Sequence, residues 1–122
     1  MPEIHHEREW EGPESFEFSR YTDDHTNTVR YRCKLNKRYF DLYVPRFMLE
    51  EMNVGEAPHK LKVVIGKGSD GVFDYSIGEK MENSIRYNMW HEGQCYALYV
   101  PNEVFGGDRP PPSVYIRIDA VA

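Results

Sequence analysis

Arg30, Arg32 and Lys34 alternate with Val29, Tyr31, Cys33 and Leu35, and a period of two puts the three bases together on the polar face of one strand. Lys37 and Arg38 follow in the next turn, and Lys60 and Lys62 take the outward phase around Leu61. Guanidinium and ammonium groups at this spacing suit phosphates, because a nucleic-acid backbone repeats its charge and gives up condensed counterions to each cation that binds it. Tyr39 and Tyr43 fall out of phase with the apolar residues of the following strand and offer planar rings on which bases can stack. The expected nucleic-acid-binding set is therefore Arg30, Arg32, Lys34, Lys37, Arg38, Tyr39, Lys60 and Lys62. A solvated strand face, whose bases deter edge pairing and partner nearby acids, has the same pattern.

Other motifs point to less. Gly66-Lys67-Gly68-Ser69-Asp70-Gly71 has the letters of the dinucleotide pattern G-x-G-x-x-G, but a strand rather than a helix follows it. No helix N-terminus is then present to receive a pyrophosphate, and the stretch reads as a flexible linker. His5 and His6 beside Glu3 and Glu7, and His25 beside Asp23 and Asp24, lack the spacing of a structural zinc site. No metal and no cofactor is expected. No nucleophile elbow, HExxH motif or nucleophile with an identifiable base occurs, so the chain reads as non-enzymatic. Trp90 and Tyr115, expected to be exposed, and Tyr99 are the anchors of a competing reading, a protein-interaction module or small inhibitor that docks through its acidic, aromatic half. Arg109-Pro110-Pro111-Pro112 reads as a rigid connector.

The elements that must position these residues come from a sequence that contains itself twice. Phe16-Glu17-Phe18-Ser19 returns as Phe73-Asp74-Tyr75-Ser76, Asn27-Thr28-Val29-Arg30-Tyr31 as Asn83-Ser84-Ile85-Arg86-Tyr87, and Leu42-Tyr43-Val44-Pro45 as Leu98-Tyr99-Val100-Pro101. Pro58, Leu61, Val63 and Ile65 answer to Pro111, Val114, Ile116 and Ile118, so the offset drifts from 57 through 56 to 53 residues, as short loop deletions require. Each copy reads as three strands, a short helix begun at proline, and a fourth strand. Pro45 stops the third strand, and Phe47, Met48, Leu49 and Met52 recur at helical spacing until Asn53 or Gly55. The second helix, Asn102-Glu103-Val104-Phe105, is cut to one turn by Gly106-Gly107.

The expected fold is mainly β, a pseudo-twofold β-barrel from two tandem β-β-β-α-β repeats with one or two short helices. A unit too small to bury its own core can bury it against a second copy, and closure removes exposed edges. The expected organisation is a flexible acidic tail over residues 1–14 and a single domain over 15–122. The domain's two intertwined repeats, 15–66 and 72–119, are joined by linker 66–71.

Length and composition bound the rest. The 122 residues fit one ordinary domain. Apolar runs are short, and Met1-Pro2-Glu3-Ile4-His5-His6 lacks the basic and apolar regions of a secretory signal, so no membrane partner and a cytoplasmic setting are expected. Cys33 shares a face with Val29 and Tyr31, whereas Cys95 lies opposite the apolar set Leu98 and Val100, so both are expected as free thiols. The net charge of −5 hides an asymmetry: residues 28–68 carry nine bases and four acids, while residues 69–122 carry four and eight. The second copy has Arg86, Asn88 and Trp90 where the first has its basic stripe. A binding face is governed by such local patches rather than by the whole-chain value.

The run Val44-Pro45-Arg46-Phe47-Met48-Leu49-Glu50-Glu51-Met52-Asn53-Val54 resembles the unit of the AbrB and MazE swapped-hairpin barrels, members of the wider cradle-loop barrels. The resemblance implies two β-β-α-β units about a pseudo-twofold axis, here carried by one chain in the manner of a fused dimer; the chain itself is expected as a monomer or weak homodimer. It also implies DNA contacts from the first hairpin, at Lys34, Lys37 and Arg38, and a role in transcriptional regulation. Two departures stand out. Gly55-Glu56-Ala57-Pro58 replaces the family's Gly-Asp, and each copy has an extra leading strand, at Phe16 and Phe73.

Overall fold

The computed structural model describes residues 8–22, 27–51 and 57–121. His5, His6, His25 and the expected helix end at Asn53 or Gly55 lie outside the described residues. The chain is mainly β, with eight strands and two short helices. In chain order they are β1 (Glu14–Thr22), β2 (Thr28–Lys34), β3 (Tyr39–Pro45), α1 (Arg46–Glu51), β4 (Lys60–Lys67), β5 (Asp74–Lys80), β6 (Ser84–His91), β7 (Gln94–Pro101), α2 (Asn102–Phe105) and β8 (Ser113–Ala120). Backbone hydrogen bonds link the strands in the order β3-β2-β1-β4-β8-β5-β6-β7. The strands and helices expected from each copy are the ones that form.

The chain condenses into two compact units, one of Glu14–Val64 with Ile116–Ala122, the other of Met1–Pro13 with Ile65–Tyr115. In the first unit, alternation sends Phe18, Val29, Tyr31, Phe40, Leu42, Val44, Leu61 and Val63 into the core and leaves their neighbours to solvent. Phe16, Phe18 and Phe40 meet edge to face at ring separations of 5.1 to 6.3 Å, the arrangement that the charge distribution of aromatic rings favours. Antiparallel β2 and β3 pair Val29 with Val44, Tyr31 with Leu42 and Arg32 with Asp41. The helix α1 buries Met48 and Leu49.

The second unit is built alike. Its β6 and β7 pair Ile85 with Val100 and Tyr87 with Leu98, and α2 is the single expected turn, burying Val104 and Phe105. Details of backbone repeat as well. The register slips by one residue between Arg20 and Thr22 in β1 and at the corresponding place, between Ile77 and Glu79, in β5. Arg46 N–H donates to the Asn27 carbonyl where α1 begins, as Asn102 N–H does to Asn83 where α2 begins. The buried Tyr31 hydroxyl donates to the Pro58 carbonyl at 2.6 Å, and the Tyr87 hydroxyl to that of Pro111 at 2.8 Å. Burial removes water from both phenols, so each needs this acceptor.

The N-terminal stretch that composition alone would leave free is, over residues 8–13, part of the second unit. Trp10 is buried edge-on against Phe105 at 5.2 Å, its backbone N–H donates to the Arg109 carbonyl, and the Arg109 backbone N–H donates back to the Arg8 carbonyl. Glu9 and Glu11 reach Lys67 at 2.6 and 3.4 Å.

Candidate nucleic-acid interface

The outward face of β1, β2 and β3 carries a packed polar array. Arg32 Nε and Nη2 donate to the two Asp41 carboxylate oxygens at 2.7 and 3.2 Å, and Arg30 Nη2 donates to the same carboxylate at 2.6 Å. The hairpin register makes this possible, since Arg32 and Asp41 are direct cross-strand partners and Arg30 sits one repeat along the same face. These side chains are about three-quarters covered, with relative exposures of 25 to 26%. The bonds from Arg32 and then Arg30 hold the Asp41 carboxyl below the usual carboxylate range, against an opposing push from partial burial. The same bonds raise both guanidinium values, so neither arginine titrates.

Three tyrosines complete the array. The Arg32 guanidinium carbon lies 4.1 Å from the centre of the Tyr21 ring and 4.4 Å from that of Tyr39. That of Arg30 lies 4.9 Å from Tyr21 and 5.4 Å from Tyr43. Flat cations over aromatic faces at this range attract through the ring quadrupole. Arg30 Nε is sealed from solvent here and is the one buried side-chain nitrogen or oxygen without a hydrogen-bond partner among the described residues. Tyr21 and Tyr39 nevertheless stay 55% and 52% exposed, so part of each ring faces water.

The eight expected residues thus separate into two groups. Arg30 and Arg32 are engaged by Asp41 and the tyrosines, and Tyr39 belongs to that array. Lys34, Lys37, Arg38, Lys60 and Lys62 are exposed. Lys60 forms a long ion pair with Glu17 at 3.4 Å, whereas Lys34, Lys37 and Lys62 have no acidic partner among the described residues. All lie in the unit of Glu14–Val64 and Ile116–Ala122. Across that unit ten Lys and Arg stand against nine Asp and Glu, a nearly balanced total.

Two members of the array escape a reading of the sequence. Asp41 holds the polar phase between Tyr39 and Tyr43, and counting back across the turn would have placed it opposite Arg32. Tyr21 lies where β1 continues past Ser19 and slips register, which no pattern of apolar residues announces.

The second unit lacks this arrangement. Arg86 donates to Asn88 at 3.0 Å and lies 5.8 Å from the Tyr99 ring, with Ala97 where the first copy has Asp41. Trp90, opposite Cys95 near the hairpin end, is 71% exposed. The hairpin closes on Glu92 and Gly93, both with positive φ. Tyr99 and Tyr115 are half-buried; the Tyr115 ring lies against the Gly66 backbone, so it is a packing residue rather than the exposed anchor expected of it. Cys33 and Cys95 are free and half-buried, and burial pushes the Cys33 thiol up.

The glycine-rich stretch folds on its own acid. Asp70 and Gly71 N–H donate to the Asp74 carboxylate at 3.0 and 3.2 Å, and the Ser69 hydroxyl donates to it too. A carboxylate of the chain thus takes the donors that a phosphate would need. Among the described residues no group of three or more His, Cys, Asp and Glu is placed to hold a metal ion. No helix among them is long and apolar enough to cross a membrane.

No protein-family profile, curated protein or solved structure matches this chain.

Proposed function

We propose that the chain is a non-catalytic nucleic-acid-binding module that works through the outward face and hairpin end of β2 and β3, with Lys60 and Lys62 of β4. The observation that carries this reading is the exposed set Lys34, Lys37 and Lys62, without acidic partners among the described residues, on the same unit as two half-exposed tyrosines. Ammonium groups free of internal carboxylates keep their full attraction for phosphate, whereas Arg30 and Arg32 would first have to leave Asp41. A regulatory role on DNA and kinship with the swapped-hairpin cradle-loop unit accompany this reading. The strand-proline-helix order at Pro45 and again at Pro101 supports them.

The test is fluorescence anisotropy with labelled single-stranded and duplex DNA and RNA, between about 50 and 200 mM salt. Binding that weakens with salt, and weakens at all salts when Lys34, Lys37 and Lys62 are changed to Glu, is the expected result. No binding to any of the four at the lowest salt sinks the reading.

The exposure of Trp90 favours a second reading, a protein partner docked on the second copy. It would show as loss of that partner with Trp90→Ala and indifference to Lys37→Glu.

A further inference from the structure

We propose that Arg30 and Arg32 do not serve as phosphate ligands but, with Tyr21, Tyr39 and Tyr43, form a fixed stacking shelf for the unpaired bases of a single-stranded nucleic acid. This rests on the nucleic-acid reading and narrows it to a class of ligand.

Three features of the array carry the inference. Asp41 already takes both Arg32 Nε and Nη2 and one Arg30 nitrogen, and Arg30 Nε is shut off from solvent. A phosphate would have to displace a carboxylate held by three charge-assisted hydrogen bonds, two of them short, and would meet Asp41's negative charge within the same cluster. The planar groups, by contrast, stack on one another across three adjacent strands, the β2 guanidiniums over Tyr21 of β1 and over Tyr39 and Tyr43 of β3, and Tyr21 and Tyr39 keep about half of their surface open to a base. Anchored side chains lose little further freedom when a base settles on them, so binding is not offset by their ordering.

Charge complementarity names the occupant. Lys34 continues the β2 stripe beyond Arg32, and Lys37 and Arg38 lie in the turn after it, so cations border the shelf along the hairpin. A single strand presents base faces and phosphates together and can use both; a duplex hides its base faces in the stack. The short α1, six residues with Met48 and Leu49 buried, offers no exposed helix for a duplex groove.

The experiment compares short oligo-dT and oligo-U with a mixed-sequence duplex, using the whole chain and the variants Tyr21→Ala, Tyr39→Ala, Tyr39→Phe, Arg32→Gln and Lys37→Gln. Single strands should bind more tightly than the duplex. Each tyrosine-to-alanine change should weaken single-strand binding roughly 5- to 150-fold with the salt slope unchanged. Tyr39→Phe should restore it, since stacking needs the ring and not the hydroxyl. Lys37→Gln should reduce the slope by about 0.7, the share of one single-strand phosphate, and Arg32→Gln should leave it alone. Thermal melts identify any variant that loses binding by unfolding, and for such a variant Tyr39→Phe and Lys37→Gln still decide. A duplex bound as tightly as single strands, alanine variants that bind normally, or a slope lowered by Arg32→Gln overturns the shelf while leaving nucleic-acid binding intact. Failure of the unaltered chain to bind any oligonucleotide removes both.

Discussion

Arg32 and Asp41 face each other across the β2–β3 ladder and close through two parallel bonds of 2.7 and 3.2 Å, which turns the middle of a basic stripe into an internally neutralised pair. The geometry fixes the plane of the guanidinium as well as its charge, and the rings of Tyr21 and Tyr39 lie over it. A face that looks like a row of phosphate ligands is thus partly a piece of rigid structure.

That pair gives stability a pH signature. The folded Asp41 value is depressed below the ordinary 3.8, so its contribution is complete above that value and is lost as the pH falls through the lower folded one. Urea unfolding should find Asp41→Asn less stable than the unaltered chain at neutral pH. The difference should shrink as the pH falls from 3.8 through the lower folded value. A difference that stays constant into acid would contradict the pairing.

The hydroxyls of Tyr31 and Tyr87 make the same bond in the two copies, to Pro58 and Pro111. Replacing either by Phe leaves a covered carbonyl without its donor and should cost about 1 kcal/mol, read from urea midpoints at constant slope. Burial first, and the charge of Glu9 next, raise the Tyr87 value above the ordinary 10.0. Its contribution is therefore full below about pH 10 and is lost as the pH climbs toward the folded value. Tyr87→Phe should flatten that alkaline limb, and an unchanged limb would count against the burial of the Tyr87 hydroxyl.

Gly66 is needed because a neighbour occupies the space of a side chain. A Cβ there would overlap the Tyr115 ring. Gly66→Ala should destabilise by about 1–3 kcal/mol, as overpacking does. Adding Tyr115→Ala should recover part of that loss in thermal melts; if the double variant is worse by the full sum, the contact is not the cause.

The two tryptophans should report opposite environments. Trp10 is covered by Phe105, while Trp90 is exposed. In Trp90→Phe the remaining emission should be blue-shifted and shielded from acrylamide; in Trp10→Phe it should be red-shifted and readily quenched. Trp10→Ala should cost about 3 kcal/mol, the usual result of emptying an aromatic site. Equal quenching of the two single-tryptophan proteins would mean that residues 8–13 do not stay docked in solution.

Period-two alternation and the two matching stretches were enough to define the eight strands, the short helices after Pro45 and Pro101, and most of the strand residues that make the core. Those features are local: side-chain direction in a strand follows from the backbone, and a proline ends a ladder wherever it stands. The candidate face was legible as a set of bases, for the same reason. What those bases touch was decided by tertiary structure. Asp41 reaches Arg32 only through the hairpin register, Tyr21 joins them only because β1 extends past Ser19 and slips by one residue, and Trp10 is buried only because Arg109 and Phe105 come to meet it. Residue types set the sign of a charge, but a carboxylate brought across a ladder decides whether that charge is still free to bind anything else.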